Sequence, residues 1–181
     1  MTVSLKVPSP PIYSYWPLVI AKKMNHYEVI DTIKSLGIDA VELQIFDVAV
    51  PKDMTMGEYA KALCNYARGI GLEVPIFTVD SKIYCDDPEN ELAHLCSLVD
   101  VAAELNIPLM RFDIAYKFLG NESTKSPKKI IDTVVPYIRR LADYALGSII
   151  IAPSTACSAS IETGICLINE LFESMRLLLW N

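Results

Sequence analysis

The residues that could do chemistry are the polar ones that interrupt apolar runs. Glu42 and Gln44 stand inside Ala40-Val41-Glu42-Leu43-Gln44-Ile45. Arg111 and Asp113 close the run that begins at Leu109, and Asp80 directly follows Val74 to Val79. Side chains alternate between faces along an extended segment, so Glu42 and Gln44 point the same way, as do Arg111 and Asp113. A carboxylate inside a fold is costly unless it meets a metal, another cation or a sugar hydroxyl. Glu42 reads as functional because its neighbours are apolar. Arg111 could grip a polyol or a phosphate. The plainer reading, in which Arg111 and Asp113 pair with each other or with a neighbour for structural reasons alone, stands beside it.

Other reactive types are less informative. Tyr13, Tyr15 and Trp16 follow the first apolar run, where they could stack on a sugar ring or simply cover one end of the fold. His26 starts a helical pattern and His94 lies on a helix exterior, so both read as solvated or capping histidines. No Ser-His-Asp or Cys-His arrangement follows from these positions. The five cysteines are Cys64, Cys85, Cys96, Cys157 and Cys166, with no CxxC spacing. They read as reduced thiols in a cytoplasmic protein rather than a disulfide scaffold or a zinc site.

The elements that must position these residues alternate between apolar runs and amphipathic runs. Asn25 with Glu28, and Thr55 with Glu58, have capping-box spacing and open two helices. Gly37 closes the first and Gly69-Ile70-Gly71 the second. Asp87-Pro88 and Ser126-Pro127 each place a cap before a proline suited to a first helical turn. Pro136 lies inside the last of these helical patterns and is expected to kink or divide it. Strands are expected at Val3 to Val7, near 40, 74, 109 and 148, and at Arg176 to Trp180, with a weak helical pattern from Ile161 to Phe172. Spacing by one strand-helix unit predicts an α/β fold with a parallel sheet. No GxGxxG or Walker pattern is present, which disfavours an open dinucleotide-binding sheet and favours a barrel. Val41, Leu43, Val74, Ile76, Ile107, Leu109, Ile149 and Ile151 are then expected to be largely buried.

Composition narrows the class further. The chain has 181 residues, 52% of them hydrophobic, which fits one folded domain and excludes disorder. The formal charge of −6 argues against nucleic acid as the main partner. No run of apolar residues is long enough to span a membrane, and the first residues do not form a signal peptide.

With these residues placed, the chain resembles a family. Gly37-Ile38-Asp39-Ala40-Val41-Glu42-Leu43, Gly71-Leu72-Glu73-Val74, Asp87-Pro88-Glu89 and Met110-Arg111-Phe112-Asp113 follow one another in the order and spacing of sugar phosphate isomerase/epimerase proteins. These belong to the xylose-isomerase-like barrel superfamily, which also contains endonuclease IV. The likeness covers residues 1–146, while 147–181 diverge.

The resemblance implies a single domain over 1–181, a parallel (β/α) barrel of the TIM type. With 181 residues against about 250 for eight units, the barrel is expected to be incomplete, with about six units. The resemblance also implies a divalent metal (Mn, Mg or Zn) that polarises a sugar, while carboxylates move protons between adjacent carbons. On that pattern Glu42 and Asp113 are the catalytic candidates, and Arg111, Asp80, Tyr15 and Trp16 the substrate-binding ones. The family's metal ligands do not carry over. The stretch Ile149 to Thr155 has no Glu or His, and Leu177 to Asn181 stops where an Asp is expected. The expectation is therefore no metal ligand from this chain, weak or absent metal binding, and impaired isomerase chemistry.

Two alternatives stay open: a non-catalytic incomplete barrel that acts as a binding or assembly module, and DNA repair of the endonuclease IV kind. The expected partner is a sugar or sugar phosphate, with no membrane, and with self-association through open sheet edges as a further option. The break near residue 147 fits a change of reading frame, divergence, or an engineered fragment.

Overall fold

The computed structural model describes residues 10–81, 83–84, 87–113 and 127–154. The expected strands at 3–7 and 176–180 and the helical pattern at 161–172 lie outside these residues. Four strands form one sheet: β1 (Ala40–Ile45), β2 (Glu73–Val79), β3 (Leu109–Asp113) and β4 (Ile150–Ser154). They stand in sequence order and every pair is parallel. Pro11 makes a single parallel bridge to Glu42 on the side of β1 away from β2.

Five α-helices connect or precede the strands: α1 (Trp16–Ile20), α2 (His26–Ser35), α3 (Met56–Gly69), α4 (Pro88–Glu104) and α5 (Pro127–Ala145). α3 packs on β1 and β2, α4 on β3, and α5 on β4, while α2, α3, α4 and α5 touch in series. This is a parallel sheet lined on one side by helices, the arrangement of a partial (β/α) barrel.

The helix starts obey local chemistry. Asn25 accepts from the Glu28 amide at 3.0 Å, and the Glu28 carboxylate accepts from the Asn25 amide at 2.7 Å. Thr55 and Glu58 repeat this box at the start of α3. The Thr55 amide and hydroxyl both donate to Glu58 Oε2, at 2.7 and 2.8 Å, and hold the Glu58 carboxyl below its ordinary pKa. The Asp87 side chain caps α4, with Pro88 at the first helical position. Gly37 leaves α2 at a φ of +76, a conformation that suits glycine. α5 runs through Pro136 as one helix, so of the expected kink or division, the division does not occur.

Proline also shapes the sheet. Pro75 lies inside β2, where its missing N–H would interrupt a regular ladder. The β1–β2 register shifts just there: Ala40 pairs with Glu73 but Glu42 with Ile76, so β2 carries one extra residue. A bulge of this kind is how a strand tolerates proline.

The core lies between sheet and helices. Val41, Leu43, Ile45, Phe77, Val79, Met110 and Phe112 are fully buried against Val29, Ile30, Ile33, Ala60, Leu63, Leu95, Val99, Val134 and Leu141 from the helices. Val74 and Ile107 are buried as expected, but Ile76, Leu109, Ile149 and Ile151 are only half-buried. Ile76 and Leu109 lie on the face opposite the helices, in register with each other, and Ile150 follows them on β4 with 45% exposure. The alternation of side chains therefore separates a dry, helix-covered face from a concave face that is only partly covered.

Both described cysteines, Cys64 and Cys96, are free thiols. Burial pushes the Cys64 thiol above its ordinary pKa.

Candidate functional site

The polar residues of the strands collect on the concave face. Register sets Gln44, Thr78, Arg111 and Ala152 side by side across the sheet, with Glu42, Ile76, Leu109 and Ile150 in the row below. Glu42 is 7% exposed and Thr78 1%. Thr78 Oγ1 donates to Glu42 Oε1 at 2.7 Å and accepts from Arg111 Nε at 3.2 Å. Arg111 Nη2 reaches the same Glu42 oxygen at 2.9 Å. The three side chains form a closed network over β1, β2 and β3.

This network explains how a carboxylate stays inside the fold. Its desolvation is offset by a guanidinium and a hydroxyl on one oxygen. Both contacts fall on Oε1, and Oε2 of Glu42 remains as an acceptor. Arg111 keeps about a third of its side chain exposed, with 37% accessibility. The concave face thus presents an acceptor and a donor together to a ligand.

The other expected site residues are placed differently. Asp113 lies two residues beyond Arg111 on the same face of β3 and is buried. Asp80 follows the end of β2 and is half-buried. Just beyond it, Ser81 Oγ accepts from the Ile83 amide at 3.2 Å and turns the chain. Trp16 packs on Phe46, with ring centroids 4.3 Å apart, and Tyr13 packs on the same ring at 5.7 Å. Trp16 therefore belongs to an aromatic cluster at the end of β1, and Tyr15 packs against the core. Neither takes part in the hydrogen bonds or the ion pair of the Glu42 network.

Thr78 is not among the residues expected at the site from sequence. It was the one polar residue in the buried part of β2, and that was its signal.

His26 is also a correction. It neither caps α2 nor faces solvent, because Asn25 takes the cap and the imidazole turns inward to 1% exposure. Its Nδ1 lies 3.0 Å from the Tyr59 hydroxyl, while Nε2 is buried without a hydrogen-bond partner. Burial lowers the His26 pKa. Burial, with Tyr27 nearby, pushes the Tyr59 hydroxyl up to about 12. Both residues line a cavity of about 600 Å³ with Trp16, Val19, Met24 and Val48.

No family model matches the chain, and no curated protein matches it. Solved structures do. D-psicose 3-epimerase from Clostridium cellulolyticum H10, solved with D-tagatose, aligns at a TM-score of 0.62 with 16% identity, over 91% of this chain and 60% of that one. The fold is that of the xylose isomerase-like barrels. A xylose isomerase-like TIM barrel protein from Mycobacterium smegmatis, in complex with magnesium, aligns at 0.62 with 14% identity, over 94% of this chain and 63% of that one. A xylose isomerase domain protein from Planctomyces limnophilus aligns at 0.56 with 13% identity, over 80% and 52%.

The chain spans less than two thirds of the length of these neighbours. Among the described residues, no three His, Cys, Asp or Glu side chains come together as a metal site. Oε1 of Glu42 is taken up by Arg111 and Thr78, and no three-ligand set forms around it, so the described residues do not fit the divalent metal that the sequence resemblance implies. No described helix is long and apolar enough to cross a membrane.

Proposed function

We propose that this chain is a sugar-binding relative of the sugar isomerases and epimerases, with the proton-transfer chemistry of that group impaired. The observation that carries this reading is the Glu42–Thr78–Arg111 network on the concave face. A sugar hydroxyl donates to Glu42 Oε2, and a neighbouring sugar oxygen accepts from the open side of Arg111. Thr78 holds both partners at fixed distance, so the site is shaped before a ligand arrives. Asp113 lies at the end of β3 on the same face as Arg111, and Asp80 directly follows β2.

Turnover needs more than this. Moving a proton between adjacent carbons requires a base within reach on one side and stabilisation of the developing oxyanion on the other. Arg111 is the one described strand-end cation, and Glu42 already compensates it. Binding without appreciable isomerisation is the expected behaviour.

The test is a titration of the purified chain with D-tagatose, followed by NMR chemical shifts, beside Glu42→Gln. Binding that weakens by about tenfold in the variant supports the reading, since a charge-assisted hydrogen bond is lost. Absence of binding to the unmodified chain overturns it. Turnover of a ketose that disappears in Glu42→Gln, or stoichiometric Mn, Mg or Zn in the purified protein, overturns the impaired part alone.

A further inference from the structure

Gln44 is 7% exposed, stands in the same row as Thr78 and Arg111, and takes part in none of their hydrogen bonds. Its Oε1 is buried and accepts no hydrogen bond. Folding gains nothing from this oxygen, because an unpaired buried acceptor is a net cost. A Met or Leu at the same position would fill the space without that cost. The unpaired acceptor lies beside the one ligand-facing network of the sheet, one residue row above Glu42 and toward the strand ends.

The charges of the row bear on what would pair with it. The Arg111 guanidinium is in contact with the Glu42 carboxylate at 2.9 Å, so its charge is compensated before any ligand arrives. Asp113, two residues further on the same face, adds a carboxyl group and not a cation. A phosphate monoester, carrying nearly two negative charges, gains little there. A neutral diol suits it well. One hydroxyl donates to Glu42 Oε2 and the next donates to Gln44 Oε1.

We infer that Gln44 is the specificity-determining residue of this site, and that the site takes an unphosphorylated polyol in preference to its phosphate ester. The inference rests on the reading of the Glu42–Thr78–Arg111 face as a sugar-binding site. A residue kept for a ligand should weaken the fold that carries it, whereas a structural residue should support it. Replacing Gln44 therefore has opposite effects on binding and stability.

The experiment titrates the unmodified chain with D-tagatose and with D-tagatose 6-phosphate, and repeats the D-tagatose titration and a thermal melt on Gln44→Met. The expected result is tighter binding of the free sugar, about tenfold weaker binding in the variant, and a melting temperature raised by about 2–4 °C. If the variant binds D-tagatose as well as the unmodified chain does, the role of Gln44 is overturned while the sugar-binding reading survives. A lowered melting temperature makes Gln44 structural and overturns its assignment. Tighter binding of the phosphate overturns the charge argument in the unmodified chain, whatever the variant does. Failure to bind either probe overturns the inference together with the reading beneath it.

Discussion

Arg111 reaches across β2 to place Nη2 2.9 Å from Glu42 Oε1, so two residues on non-adjacent strands share one ion pair. Thr78, on the strand between them, bonds both. The contact is only partly sheltered, with side-chain exposures of 37% and 9%, so solvent weakens it on the Arg111 side. In a double-mutant cycle, Arg111→Met should cost more alone than in a Glu42→Gln background, with a coupling of about 1 kcal/mol. Additive losses in urea unfolding would mean that the pair contributes nothing to the fold.

Thr78→Val keeps the shape of the side chain and removes its hydroxyl. The Glu42 carboxylate then loses a buried donor, and Arg111 Nε loses its acceptor. We expect a loss of about 1–3 kcal/mol in unfolding free energy. Thr78→Ser keeps the hydroxyl and should restore most of what the hydrogen bonds contribute. Equal stabilities of the valine and serine variants would show that the hydroxyl has no part in it.

His26 makes stability depend on pH in a definite direction. Burial lowers its pKa in the folded state below the ordinary value of 6.5. Below about pH 6.5 the unfolded chain takes up a proton that the folded chain refuses, so the unfolded state is favoured. The contribution of neutral His26 is thus complete above that pH and declines as pH falls toward its folded pKa. Stability measured between pH 8 and pH 5 should fall more steeply in the unmodified chain than in His26→Phe. Parallel curves would remove His26 as the source.

Gly57 lies in the first turn of α3, where a β-carbon would come 2.9 Å from Val101 Cγ2 on α4. Alanine is the better helix former by about 1 kcal/mol, yet the clash opposes that gain. Val101 is β-branched and stiff, so it cannot simply rotate away. Gly57→Ala should therefore destabilise the chain, and Val101→Ala should relieve the clash in the double variant. A stabilised Gly57→Ala would show that the two helices separate easily at this crossing.

The bounds of β1 and β3, the two capping boxes and the Asp87-Pro88 helix start were all legible in the sequence, because each depends on residues within a few positions of one another. So was the shared face of Glu42 and Gln44, which follows from strand alternation alone. The resemblance extended this to a barrel, and the four parallel strands agree with it. What the sequence could not determine depends on register and on which face the helices cover. Ile76 and Leu109 look like core residues in any apolar run, but they sit on the side the helices leave open and stay half-buried. Thr78 became part of the site only when β1, β2 and β3 aligned to put its hydroxyl between Glu42 and Arg111. His26 looked like a surface residue until Tyr59, more than thirty positions away, offered a partner inside the fold. Local patterns choose the elements. Contacts between residues distant in sequence, whose geometry no local pattern records, choose which side chains meet.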